Sequence, residues 1–218
     1  MAGGASKASR KGERSREAIL DAAERLMAAR GYAATSISAI CKETGLPATS
    51  IYWHFNSKEG LLAAVMERGA ARWFAALPRW ESLEGDPADR VAALMTAGAD
   101  AVAGHPGFLR LFYLLALDDG SDAQVSELVR TVRARAFSYF QDAVERVLAL
   151  DHDPQIASAA AAELSRFAVA ASDGFFFALQ LEPNEADIRR LYGQLVLALQ
   201  AVGAAVVAEI TARREPEE

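Results

Sequence analysis

Apolar residues recur at three- and four-residue spacing along nearly the whole chain, and no stretch alternates polar with apolar residues as a half-buried strand does. That pattern leaves an all-α fold. Ile19, Ala22, Ala23, Leu26 and Met27 form one face of a first helix expected at about 13–29, which Gly31 ends. "ATSISAI" offers Thr35 or Ser36 as the N-cap of a short second helix with Ile37, Ile40 and Cys41 inward. A third helix is expected at 48–54. A fourth follows at about 58–77, with Ser57 as its cap. "PRWESLEGDPADR" reads as a linker, followed by helices at about 87–103, 106–117, 122–149, 154–181 and 185–213. Residues 1–10 and the closing "REPEE" are expected to be disordered.

The segment "TGLPATSIYWHFNSKEGLL" constrains function most. Two short helices joined through "TGLP" have the spacing of a helix-turn-helix, in which Gly45 turns the chain, Leu46 packs beneath it and Ile51 anchors the next helix. Ile51 and Phe55, four apart, face inward. Ala48, Thr49, Ser50, Tyr52, Trp53 and His54 are left to face outward. Exposed rings and hydroxyls on a helix short enough to enter a major groove suit phosphate oxygens and base edges.

The string "GYAATSISAICKETGLPATSIYWHFNSKEGLL" resembles the N-terminal signature of the tetracycline-repressor (TetR) family of bacterial transcription regulators, over residues 13 to about 73. The resemblance implies a three-helix DNA-binding domain over 13–73, joined by helix 4 to a helical ligand-binding and dimerisation domain over 74–218. It implies that Ser36, Tyr52, His54 and Lys58 bind phosphate. It also implies that Ala48, Thr49 and Ser50 occupy base-reading positions and that Trp53 lies against the groove wall. Cys41 stands where the family most often has alanine, and Ala48 lacks a side chain able to read a base.

Beyond residue 80 the resemblance is architectural only. Phe108, Leu111, Phe112 and Tyr113, with Phe137 and Phe140, are expected to wall an apolar ligand cavity, with Arg133 and Asp173 as polar anchors. Small residues in the last two helices allow close approach of a twofold mate. Ala170, Leu195, Ala198, Ala201, Val202 and Ala205 are the expected dimer interface, in a four-helix bundle.

Charge is divided unevenly. Against a net charge of −6, residues 1–60 hold nine Lys and Arg to six Asp and Glu, while the remainder holds fourteen to twenty-three. A basic end on an acidic body can direct one face at a polyanion. One cysteine excludes an internal disulfide and suits a reducing cytoplasm. No signal or anchor segment is read at the start, and the apolar runs, broken by polar residues, are expected to fall short of a membrane span. The three histidines are far apart and no strand precedes a glycine-rich loop, so neither metal, cofactor nor enzyme chemistry is expected. The expected protein is a dimeric regulator, acting as a repressor, that binds a palindromic operator in double-stranded DNA and is released by a small apolar or aromatic effector. The alternative is an effector-independent architectural or division-control DNA-binding protein.

Overall fold

A computed structural model describes residues 7–118 and 123–214. The described residues are helical throughout apart from turns and contain no strand. Among the described residues nine α-helices follow in order: α1 (Lys7–Arg30), α2 (Ile37–Thr44), α3 (Ala48–Phe55), α4 (Lys58–Ala75), α5 (Pro87–Gly104), α6 (Pro106–Ala116), α7 (Ala123–Leu148), α8 (Pro154–Leu181) and α9 (Ile188–Arg214). A 3₁₀ turn, Trp80–Ser82, lies within the expected linker. Breaks fall at the glycines and prolines. Gly31 and Gly45 take left-handed φ of 82° and 69°, and their amides cap α1 and α2 on the carbonyls of Met27 and Cys41. Asp153 caps α8 by accepting from the amides of Gln155 and Ile156.

One expectation fails at the start. Residues 7–12, expected to be disordered or outside the helix, are the first turns of α1: the segment is polar but contains helix-forming Ala, Lys and Arg, and only Gly12 opposes them. Residues 1–6 and 215–218, also expected to be disordered, lie outside the described residues.

The chain divides into two compact units. The head comprises residues through Trp73 together with His105–Arg130. Its core holds Ile19, Leu20, Met27, Ile40, Ile51, Leu61, Leu62, Met66 and Leu111, all fully buried. Arg68 of α4, largely buried, ties α4 to α1 through Glu17, Asp21 and Glu24 at 2.9, 2.7 and 2.9 Å. The boundary expected at residue 73 therefore misses part of the head, because α6 packs on α1. The Phe108 ring also fills a notch at Gly69, where an added Cβ would lie 2.4 Å from Phe108 Cδ2.

The second unit comprises Phe74–Gly104 and Thr131–Glu218. Here α9 packs along α8 and α5. Ala160 and Leu164 of α8 meet Val206 and Val207 of α9, with Val144, Leu148 and Ile156 around them. Tyr192 is buried against Gly98, at a spacing no Cβ could share, and burial pushes its hydroxyl up to about 12. In length and composition α9 is apolar enough to cross a bilayer, contrary to expectation, because its glutamines and glycines interrupt the apolar run too weakly. Most of that apolar stretch is exposed rather than buried in the unit.

Candidate nucleic-acid interface

Local chemistry sets the head's outward surface. Ser36 caps α2, its Oγ accepting from the Ala39 amide at 3.1 Å. Thr35, the other candidate cap, is instead buried and donates to the Gly31 carbonyl. Thr44 braces the turn from both sides, donating to the Ile40 carbonyl and accepting from the Leu46 amide. The sequence pattern gave no hint of that role. Ile51 and Phe55 are buried on the inner face of α3. Opposite them, Ala48 and Thr49 are exposed, Tyr52 is 49% and Trp53 76% exposed, and Ser50 and His54 are half-buried.

The α3 set thus shares one short helix, about 12 Å long. Lys58 is differently engaged. Its Nζ donates to the Ala33 carbonyl at 3.3 Å and lies 4.4 Å from the centre of the Tyr32 ring. Tyr32 in turn donates to Glu59 Oε1 at 3.1 Å. Glu59 is held below the usual carboxylate range by its own backbone amide first, then by the hydroxyls of Ser57 and Tyr32. Lys58 and Glu59 together pin the α1–α2 turn to the start of α4. Arg16 of α1 lies 5.4 Å from the centre of the Phe55 ring. Partial burial and, second, the charge of Arg16 hold His54 below the ordinary histidine range, so at neutral pH it is an uncharged hydrogen-bonding group.

The expected ligand wall is not gathered in one unit. Phe108, Leu111 and Phe112 are buried in the head, and Tyr113, half-buried, belongs to the head as well. Their spacing marks a buried face, which the head's own core uses. Arg133, Phe137, Phe140 and Asp173 belong to the second unit. Arg133 and Asp173, expected as separate anchors, form a bidentate pair at 2.7 and 2.5 Å and largely satisfy each other. Arg166 stacks near the Phe137 ring, and Phe140 is buried beside Tyr139. The same unit has a half-open cleft of about 230 Å³ that the sequence did not reveal. Trp80, Leu94, Tyr139 and Ala143 line it, with Arg79, Glu81, Asp142 and Arg146.

Among the expected dimer residues, Ala170, Ala201, Val202 and Ala205 are exposed and Ala198 is half-buried. Leu195 is only 2% exposed: it turns inward within its own unit and cannot form an interface. Phe167, Phe177 and Leu181 of α8 and Leu197 of α9 are exposed instead.

Residues 19–65, which contain the capped turn and α3, match the model of the bacterial regulatory proteins, tetR family. The segment that carries the turn and α3 is therefore of the tetR-family type. Over 60 residues the chain is 42% identical to the HTH-type transcriptional repressor ComR of Escherichia coli (strain K12), covering 28% of this chain and 29% of that protein. Over 63 residues it is 36% identical to the HTH-type transcriptional regulator AcrR of Shigella flexneri, covering 29% of each. The matched part therefore spans less than a third of these relatives. Solved structures resemble far more of the chain. A transcriptional regulator of Pseudomonas aeruginosa PAO1 superposes with a TM-score of 0.71 at 20% identity, over 90% of this chain and 94% of that one. One from Saccharomonospora viridis, in complex with choline, gives 0.68 at 19% identity, over 86% and 96%. At such identities the likeness is one of fold.

Proposed function

We propose that this chain is a TetR-family regulator, a dimeric, effector-responsive transcriptional repressor that binds a palindromic operator through α3. The observation that carries this reading is α3 itself: Ile51 and Phe55 lock its inner face while Thr49, Tyr52 and Trp53 face solvent. Side chains of this kind in a major groove supply hydrogen bonds to phosphate and apolar contact to thymine methyls. The exposed apolar stripes of α8 and α9 support pairing with a second copy, which would present two α3 helices to half-sites about 34 Å apart. A small effector is assigned to the second unit, where the aromatic cleft at Trp80 and Tyr139 offers an apolar floor and charged edges.

The test is genome-wide mapping of bound sites followed by binding measurements on the recovered duplex. Wild type should bind as a dimer. Thr49→Ala should change base preference, and Trp53→Ala should weaken binding about tenfold or more. Binding to no genomic site, or a Trp53→Ala chain with unaltered affinity and preference, would reject α3 as the reading element.

A further inference from the structure

The exposed face of α3 carries rings and hydroxyls but no charged side chain, and Lys58 is engaged on Ala33 and Tyr32. The head's positive charge lies elsewhere. Of the nine Lys and Arg in residues 1–60, five fall in residues 7–16 beside a single acid, Glu13; residues 17–60 hold four against five. Apart from those ten residues, then, this part of the head has no positive excess with which to attract a polyanion.

Those residues are the opening turns of α1. Arg10, Lys11 and Arg14 fall at spacings of three and four, on one side of the helix, and all three are exposed. Among the described residues none of them has an ion pair, in contrast to Arg16, which bonds Glu17 and lies over Phe55. Around Gly12 no atom lies within 4 Å of where a Cβ would sit, so that side of the turn has room for a larger residue. Two features make this an unfavourable helix in isolation. The first turn has no acidic residue, so cations crowd the positive end of the peptide dipole, and a glycine sits inside the helix. A polyanion reverses the first penalty. The contact of Arg16 with Phe55 sets this end of α1 beside the C-terminal end of α3, so DNA lying on α3 reaches it. From Arg10 to Arg14 the helix advances about 6 Å, over which duplex DNA carries about three or four phosphates.

We infer that the basic face of the α1 extension, Arg10, Lys11 and Arg14, is a second DNA-contacting element that binds the phosphate backbone beside the base-reading helix and supplies most of the sequence-independent affinity. The inference rests on the proposed DNA-binding function.

The experiment uses the full chain and a random-sequence 40-base-pair duplex, with binding followed by fluorescence anisotropy between 50 and 200 mM salt. Replacing Arg10, Lys11 and Arg14 together by Gln should lower the slope of log affinity on log salt by about 2–3 and weaken binding on the order of a hundredfold at 100 mM, since each neutralised phosphate contributes about 0.9 to the slope. Arg10→Lys with Arg14→Lys should keep the wild-type slope. Gly12→Ala, for which there is room, should tighten binding about two- to fivefold by favouring the helix. Gly12→Pro should lose slope as the triple variant does, and a wild-type slope there would overturn the helical placement. Arg189, Arg213 and Arg214 changed together to Gln make the same change in net charge elsewhere; an equal loss of slope in that variant would overturn the inference. So would a triple variant that keeps the wild-type slope while wild type binds. Wild type that binds no duplex even at 50 mM salt would instead overturn the DNA-binding function, and this inference with it.

Discussion

Arg16 has two neighbours on α3, and one of them can be read directly. Its charge is the second cause, after burial, of the low pKa of His54, so Arg16→Ala should move the His54 titration up toward the ordinary histidine range, as followed by proton NMR of the imidazole. The sign for stability follows from the same shift. A histidine whose folded pKa lies below its unfolded value binds protons more readily when unfolded, so its contribution is retained above the unfolded pKa, about 6.5. It is lost as pH falls from there through the folded value. Arg16→Ala should therefore flatten the acid limb of the stability curve below about pH 6.5. An unchanged His54 titration in the variant would show that the ring and the guanidinium do not interact in solution.

At the scale of elements, the head depends on close approach of α4 and α6. Gly69→Ala would place a methyl group within 2.4 Å of the Phe108 ring, and overpacking of this kind costs about 1–3 kcal/mol. Urea unfolding should register that loss, and Phe108→Leu in the same chain should recover part of it. Full stability of Gly69→Ala alone would mean that α6 can shift without penalty. Such joints mark the limit of what the sequence discloses. Helices α2 to α9 were legible because caps and breakers, from Ser36 and Gly45 to Asp153, act within a few residues of themselves. The outward face of α3 was legible because Ile51 and Phe55 repeat with the helical period. The spacing of Phe108, Leu111 and Phe112 showed a buried face but not which unit buries it, since that depends on pairing across some forty residues of intervening chain. Leu195 was misassigned for the same reason: periodicity does not separate the inner face of α9 from its outer one.

At the scale of the molecule, the two faces of α9 have different uses. Leu195, Val206 and Val207 close the unit's own core, while Gly193, Leu197, Ala201, Ala204 and Ala208 lie exposed at helical spacing. Phe167, Ala170, Gly174, Phe177 and Leu181 do the same on α8. Apolar stripes of this length are costly in water unless covered. If a second copy covers them, Leu197→Glu should give monomers at micromolar concentration by sedimentation velocity and abolish operator binding, because one α3 reads only one half-site. A wild-type chain that sediments as a monomer under those conditions would exclude the dimer.

The inclusion of α6 in the head also bears on modularity. The segment that completes the head returns to it only after the chain has left at Trp73 and come back at His105. A fragment ending at residue 73 would lack Phe108 and Leu111 and leave the notch at Gly69 open to water. A hybrid regulator made with a single join near that point would inherit an α6 fitted to another head. Transplanting the head intact takes three joins in the chain, so recombination at a single point should seldom exchange whole heads between proteins built this way.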